Sequence, residues 1–212
     1  MIIKSLELSN YRNYDNVVIK FDKGINILYG DNAQGKTNIL EAIYMCGTTK
    51  SHRGNKDKEI IRFGCEESHI RALFDKNDVE YQIDIHLRKD KSKGIAINGV
   101  KLKKAAELLG LANIIIFSPE DLSIIKNGPS DRRRFVDAEL CQLDKVYLYN
   151  LTNYNKIVNQ RNNLLKDILV HPELRDTLDV WDSQLVNIGT KIIERRKIFV
   201  DPFKHIVRHI KF

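Results

Sequence analysis

Cysteine, proline and tryptophan are scarce in this 212-residue sequence, and the scarcity excludes several classes of protein. The three cysteines are scattered and show no C-x-x-C spacing, so neither a zinc-finger site nor a disulfide framework is indicated. A reducing compartment fits this pattern, and we expect a cytoplasmic protein. Only four prolines and one tryptophan occur, and no internal repeat or low-complexity tract is present, which excludes repeat arrays and proline-rich linkers.

Long apolar runs are also lacking. No stretch of eighteen or more apolar residues occurs, so no membrane span is expected. The N-terminus begins Met1-Ile2-Ile3 and turns at once to charged residues, without the apolar centre of a signal peptide. The apolar fraction of 42% is nonetheless ordinary for a globular chain. A soluble protein that has no membrane partner is therefore predicted.

Charge is abundant and biased toward positive. Lysine and arginine number 35 against 28 acidic residues, which gives a net charge of +7. Such a balance mildly favours a polyanionic partner, either nucleic acid or nucleotide phosphates.

One motif stands out against this background. Residues 30–37 read G-D-N-A-Q-G-K-T and fit the phosphate-loop pattern G-x-x-x-x-G-K-[ST]. In such a loop, backbone N–H groups wrap a triphosphate, the lysine reaches the β- and γ-phosphates, and the threonine hydroxyl binds Mg²⁺. The sequence thus predicts ATP and Mg²⁺ as cofactors. The candidate nucleotide ligands are Gly30, Asp31, Asn32, Ala33, Gln34, Gly35, Lys36, Thr37 and Asn38, with Thr37 at the metal.

The context of the motif agrees with this interpretation. The apolar run 25–29 precedes it and predicts a buried strand, while residues 38–46 follow it with apolar residues at helical spacing. Strand, glycine-rich loop and helix therefore stand in the required order, and the positive end of the helix would face the phosphates.

The remaining chain predicts an α/β fold followed by helices. Alternating strands at 2–8, 17–21 and 68–100 predict a mixed sheet with an antiparallel subsheet, and the apolar run 113–117 predicts a further buried strand. A polar loop is expected at 9–16, and a short basic helix at 101–109. We expect a compact α/β head over 1–135 and a helical lobe over 136–212, in which two long helices form an antiparallel hairpin and Pro202 interrupts the second.

Several other residues could have either a functional or a purely structural role. Lys101, Lys103, Lys104, Arg132 and Arg133 are candidate contacts to DNA phosphates, although exposed basic residues are common. Residues 195–197, R-R-K, are expected to form a solvated helix face. His205 and His209 have metal-ligand spacing but lack a third ligand.

Magnesium and water activation normally need carboxylates at the end of a strand. The only candidate, Ser118–Asp121, does not fit because Ser118 and Pro119 push the carboxylates past the strand. No catalytic residue is therefore assigned in this chain. Either the catalytic half lies in further sequence, or the chain only binds nucleotide.

These stretches together resemble the RecF family, bacterial DNA repair proteins of the SMC-like branch of ABC-type ATPases. The likeness covers essentially the whole chain. It is carried by residues 8–14, by the phosphate loop and its helix, by Ser51-His52-Arg53, by the block from Phe117 to Asp137, and by residues 154–156, residues 160–166 and Trp181-Asp182. The phosphate loop is generic, whereas the block from Pro119-Glu120-Asp121-Leu122 to the arginine triplet 132–134 is specific.

The resemblance implies functions for the whole protein. ATP would be sandwiched between the heads of a homodimer and slowly hydrolysed, and DNA would be bound at gapped single-strand/double-strand regions. With RecO and RecR as partners, such a protein helps to load RecA and promotes recombination and the SOS response. Arg12 and Asn13 match positions beside the nucleotide in related heads. Because the signature helix and the Walker B strand of the family come later in the chain, residues 1–212 alone are expected to turn over almost no ATP.

Two other functional classes remain open. The chain would also suit the head of another SMC-like ATPase, which tethers chromosomes or serves a nuclease. Its helices are short for a long coiled coil, since about 23 residues span roughly 35 Å. A nucleotide-gated protein-binding module is the non-enzymatic alternative.

Overall fold

A computed structural model describes residues 1–54, 56–118, 121 and 123–209, with the side chains of 123, 125 and 204–209 left out. The chain forms two compact units, Met1–Leu122 and Ser123–Phe212. The predicted boundary at 135/136 falls inside a helix of the second unit, and the division at 135 otherwise stays a prediction.

The first unit is built on one six-stranded sheet. Its strands in chain order are β1 (Ile2–Tyr11), β2 (Tyr14–Lys20), β3 (Glu67–Lys76), β4 (Val79–Arg88), β5 (Gly94–Ile97) and β6 (Val100–Lys101). They lie in the order β2-β1-β3-β4-β5-β6, and each neighbouring pair is antiparallel. Helices α1 (Lys36–Thr48) and α2 (Asp57–Ile60) and a 3-10 turn (Ala105–Leu108) complete the unit.

One face of this sheet is the core and the other is polar. Alternate residues of β3 are buried, namely Ser68, Ile70, Ala72 and Phe74, while Glu67, His69 and Arg71 point outward. This is the period of two that a half-buried strand requires. Helix α1 covers the inner face with Ile39, Ala42, Met45 and Cys46, which are all buried. Full burial of each large apolar side chain contributes about 1.5–3 kcal/mol, so α1 is anchored firmly to the sheet.

The α/β class with a following helical part is confirmed, but two strand predictions are wrong. Residues 25–29 and 113–117 form no regular secondary structure and join no strand ladder among the described residues. Ile25, Ile27 and Ile115 are strongly exposed rather than buried. An apolar run has the composition of a strand, but a strand also needs a hydrogen-bonding neighbour, and this depends on residues far along the sequence.

Two local predictions are also wrong. The stretch 9–16 is not a polar loop, because β1 continues to Tyr11 and a tight turn at Arg12-Asn13 leads directly into β2. Asn10 and Arg12 take positive φ values of 50° and 53° there. Residues 101–109 form the end of β6 and a single 3-10 turn instead of a basic helix.

The second unit is helical, with α3 (Ser123–Lys126), α4 (Pro129–Leu143), α5 (Lys145–Asp167), a 3-10 turn (Pro172–Thr177) and α6 (Leu178–His209). The two long helices are confirmed, and they pack around Leu140, Tyr147 and Ile192. The Asp144 side chain caps α5 by accepting hydrogen bonds from the backbone N–H groups of Val146 and Tyr147.

Two details of α6 differ from the prediction. The helix continues through Pro202, which a helix tolerates when it gives up one hydrogen bond. Arg195 and Arg196 are not a solvated face. They bind Asp144 and Asp137, and so fasten α6 to the start of α5 and to α4.

No helix among the described residues is long and apolar enough to cross a membrane.

Candidate nucleotide-binding site

The phosphate loop forms a tight, irregular turn between residues 25–29 and α1. Gly30, Ala33 and Gly35 have positive φ values of 138°, 65° and 98°. Glycine adopts this region without strain, so the two motif glycines occupy positions where a side chain is disfavoured. Gly35 is the residue before α1, and Lys36 begins the helix. The N–H groups of the first helical turn therefore open toward the loop.

Lys36 folds back across this turn. Its ammonium group donates hydrogen bonds to the carbonyl oxygens of Gly30 at 2.7 Å and Asp31 at 2.6 Å. These two hydrogen bonds place the lysine ammonium group inside the turn of the loop.

The turn between β1 and β2 lies directly against the loop. The Asn13 amide and the Tyr14 hydroxyl each donate to the Gln34 carbonyl at 3.2 Å, and the Asn38 amide donates to Asn13 Oδ1 at 2.8 Å. A Cβ at Gly35 would lie 2.7 Å from Asn13 Oδ1 and Tyr14 Oη. The φ value favours a glycine at 35, and a Cβ there would also displace the ends of the Asn13 and Tyr14 side chains.

A pocket of about 300 Å³ opens above the loop. Six of its seven lining residues belong to the motif and the start of α1; the full set is Asn32, Ala33, Gly35, Lys36, Thr37, Asn38 and Arg53. Two of the lining side chains are cationic and one carries a hydroxyl group. This donor set fits a triphosphate with a bound Mg²⁺, for which the Thr37 hydroxyl would be the protein ligand. Gly30, Asp31 and Gln34 belong to the loop but do not line the pocket.

Arg53 is a site residue that the motif analysis missed. Its guanidinium donates to Asn38 Oδ1 at 3.1 Å, and its backbone N–H donates to Ser51 Oγ at 3.1 Å. It lies sixteen residues beyond the motif, and only the fold brings it to the phosphate loop. The triplet Ser51-His52-Arg53 was singled out as a family feature, but nothing in the residues themselves pointed to the pocket.

The Arg12 guanidinium binds protein groups close to the phosphate loop. The guanidinium forms two hydrogen bonds with the Glu41 carboxylate, at 2.9 and 2.7 Å, and a third with the Glu59 carbonyl at 3.0 Å. Glu41 is fully buried and also accepts from Ser51 Oγ at 2.5 Å and Tyr11 Oη at 3.2 Å. That Arg12 and Asn13 contact nucleotide stays a prediction.

The electrostatics of this cluster favour an ionised carboxylate. Burial alone would raise the pKa of Glu41, but the hydrogen bonds from Arg12 and Ser51 and the charges of Arg12 and Arg53 outweigh it, so the pKa is lowered. Burial first, and then the negative charge of Glu41, raise the pKa of the Tyr11 hydroxyl, which stays a donor. Glu41 therefore carries a fixed negative charge one helical turn beyond Thr37.

The five candidate DNA contacts lie outside this site. Lys101, Lys103 and Lys104 are exposed around β6, in the first unit. In the second unit, Arg132 and Arg133 are exposed at the start of α4. Arg132 donates to the carbonyl oxygens of Ile124 and Asn127, at 3.3 and 2.9 Å. Pro119, Glu120 and Leu122 of the specific block, and the side chains of His205 and His209, lie outside the described residues.

Comparison with known proteins places this site in a family. A sequence model described as an AAA domain matches residues 5–200. The DNA replication and repair proteins RecF of Agathobacter rectalis and Lachnoclostridium phytofermentans are 62% and 58% identical over 99% and 98% of the chain. The chain spans 58% of the length of each of these relatives.

Solved structures also show similarity to RecF. The recombination mediator protein RecF with ATP, of the RecFOR pathway, superposes with a TM-score of 0.91. It is 39% identical, and the match covers 94% of this chain and 54% of that one. An Smc head domain from Pyrococcus furiosus, at 21% identity and a TM-score of 0.55, shares the fold alone. This chain belongs to the AAA domain family, and along nearly its whole length it is similar to RecF proteins, of whose length it spans rather more than half.

Proposed function

We propose that this chain is the ATP-binding part of a RecF-type DNA replication and repair protein, in which the phosphate loop holds ATP with Mg²⁺. The pocket lined by Lys36, Thr37 and Arg53 carries this proposal, because it combines two cations with a hydroxyl ligand at the start of a helix. The negative charge of a bound triphosphate would be neutralised by the two cationic side chains.

Each residue has a distinct part in binding. Lys36 exchanges its bonds to the Gly30 and Asp31 carbonyls for phosphate oxygens, which are stronger acceptors for an ammonium group. Arg53 is held over the pocket by Asn38 and by the Ser51 hydroxyl, which in turn is held by Glu41. Its planar guanidinium suits two-point recognition of a phosphate. The β1–β2 turn stabilises the loop through the hydrogen bond from the Asn13 amide to the Gln34 carbonyl.

Replacement of Lys36 by alanine should weaken ATP binding by about 10- to 100-fold, since a charge-assisted hydrogen bond contributes about 1.5–3 kcal/mol. Isothermal titration of the purified chain with ATP and Mg²⁺ measures this directly. Lys50→Ala, which removes an exposed lysine after α1, is the matched control and should leave affinity unchanged. Equal affinities for Lys36→Ala and the unmodified chain would refute the assignment of the loop.

For the whole protein we further propose ATP-dependent homodimerisation, binding to gapped DNA, and action with RecO and RecR in recombination and the SOS response, in the cytoplasm. The similarity to a RecF of the RecFOR pathway supports this part of the proposal. The exposed lysines 101, 103 and 104 are the best-placed candidates for DNA contact in the first unit. Arg133 is exposed in the second, and Arg132 would have to leave two backbone carbonyls.

Replacement of Lys101, Lys103 and Lys104 together by alanine should reduce the salt dependence of DNA binding. Each lost phosphate contact lowers the slope of log K against log salt by about 0.7–0.9. The measurement is fluorescence anisotropy with a gapped duplex over a range of salt, with Lys20, Lys23 and Lys50 replaced together as the control. An unchanged slope in the test variant would exclude these lysines as phosphate contacts.

A further inference from the structure

The outer face of the sheet carries a cluster that the nucleotide site does not use. Glu67 and His69 lie two residues apart on β3 and so share this face, and His86 stands opposite His69 on β4. Ligand atoms of these three side chains all lie within 4.8 Å of one another. Within the described part of the chain, no other group of three or more His, Cys, Asp or Glu side chains converges in this way.

The contacts inside the cluster are close and directional. The two imidazole rings stack with centroids 3.9 Å apart and an angle of 24° between their planes. His86 Nε2 lies 2.8 Å from a Glu67 carboxylate oxygen. Two imidazoles and one carboxylate are a common ligand set for transition-metal ions of the zinc class.

Arg88 reveals which nitrogen of His86 carries the proton. Its guanidinium lies 3.3 Å (Nε) and 3.1 Å (Nη2) from His86 Nδ1. A guanidinium can only donate, so Nδ1 accepts and Nε2 carries the hydrogen that is donated to Glu67. Arg88 thereby supplies a positive charge beside the carboxylate and holds the tautomer in which Nε2 is protonated.

The next strand leaves room beside His86. Its partner on β5 is Gly94, and a Cβ added there would approach the His86 Cβ at 3.8 Å and Arg88 Nη2 at 3.9 Å. A residue with a longer side chain at 94 would cover the ring. Together with the exposure of Glu67 and His69, this keeps the cluster open to an ion from solvent.

We propose that Glu67, His69 and His86 form a binding site for a divalent transition-metal ion such as Zn²⁺, with a coordination position left for water or a partner's ligand. Zinc ligands lie about 2.0–2.2 Å from the metal, so tetrahedral ligand atoms are about 3.4 Å apart. Side-chain rotation brings the exposed Glu67 and His69 from within 4.8 Å to that separation. Coordination at His86 Nε2 requires the proton to reside on Nδ1, so Arg88 loses its acceptor and turns away.

This competition with Arg88 gives the proposal its sharpest test. In titrations of the full chain with Zn²⁺, and with Co²⁺ as a spectroscopic probe, we expect one equivalent to bind. His69→Ala and His86→Ala should each weaken binding at least tenfold, and Arg88→Met should strengthen it several-fold, because the competing cation is removed. His171→Ala, an exposed histidine of the second unit that pairs with Glu173, should change nothing.

Three results would overturn the proposal: no saturable binding, binding unaffected by the two β-sheet histidine variants, or a Co²⁺ spectrum with strong thiolate absorption. The second and third would place the metal elsewhere, at the remaining histidines or at a cysteine. Because the cluster is on the polar face, the far-UV circular dichroism of His69→Ala and His86→Ala should match that of the unmodified chain. A loss of metal binding in these variants would then not be due to unfolding.

Discussion

Replacement of Glu41 by alanine should destabilise the first unit by about 3–5 kcal/mol, the cost of breaking a buried ion pair from one side. Glu41 is fully buried, and its carboxylate accepts hydrogen bonds from Arg12, Ser51 and Tyr11. Without it, the Arg12 side chain, only 17% exposed, keeps its charge but loses two hydrogen bonds. The same substitution releases Ser51, which positions the Arg53 backbone, so a loss of ATP affinity should accompany the loss of stability.

Hydrogen exchange measured by mass spectrometry on peptides from β1 and α1 reports on this unit directly. Glu66→Ala is the matched control, because Glu66 is exposed and its carboxylate pairs across the surface with Lys89. Its effect should remain below about 1 kcal/mol. Equal exchange in the two variants would contradict the buried network as a main source of stability.

The Glu41 network also predicts a pH dependence. Because the folded pKa of Glu41 is lowered, its ionised form stabilises the folded chain above the unfolded pKa of about 4.3, and this stabilisation is lost as pH falls through the folded value. Glu41→Gln keeps the shape but removes the charge. The stability difference between the unmodified chain and Glu41→Gln should therefore be largest near neutral pH and shrink in acid.

Replacement of Asp137 by alanine should destabilise the helical unit by about 2–3 kcal/mol. The Asp137 carboxylate accepts a short hydrogen bond from the Tyr147 hydroxyl and two from Arg196, each at 2.8 Å. Arg196 also donates to the Tyr147 hydroxyl at 2.9 Å, so one side chain from each of α4, α5 and α6 meets here. Burial first, and then the bond to Asp137, raise the pKa of Tyr147, which keeps its proton and remains a donor. The substitution removes the carboxylate that accepts hydrogen bonds from both the Tyr147 hydroxyl and the Arg196 guanidinium, in a mostly buried place.

Trp181, the only tryptophan, lies on α6 and makes the unfolding of this unit visible by fluorescence in urea. Asp131→Ala, on the same helix as Asp137, removes an exposed pair with Arg134 and should cost less than about 1 kcal/mol. If the two variants had the same midpoint, the three-helix contact would contribute little, and the hydrophobic contacts around Leu140 and Ile192 would suffice.

The parts of this fold that were predictable share a local cause. The phosphate loop is a continuous motif, and its glycines, lysine and threonine lie where the spacing places them. Strands β3 and β4 follow from alternation over ten residues each, and α5 and α6 from apolar residues at helical spacing. In each case the information needed for the prediction lies within one element.

The errors have the opposite cause. The runs 25–29 and 113–117 have the composition of buried strands, yet pairing depends on which segments lie beside them. Arg195 and Arg196 look like a solvated pair until α4 and α5 bring Asp137 and Asp144 to them. Pro202 lacks a backbone N–H and usually ends a helix, but α6 continues through it.

By itself the sequence determined that this chain carries a phosphate loop at the start of a helix, strands of alternating polarity and two long helices, and it indicated the RecF family. Only the tertiary structure decided that Arg12 binds Glu41, that Arg53 lines the pocket, and that His69 and His86 meet across two strands. The physical reason is range. Backbone preference and periodicity act over a few residues, whereas ion pairs, pockets and cross-strand clusters join side chains that the sheet register and helix packing bring together from 15 to 59 residues apart.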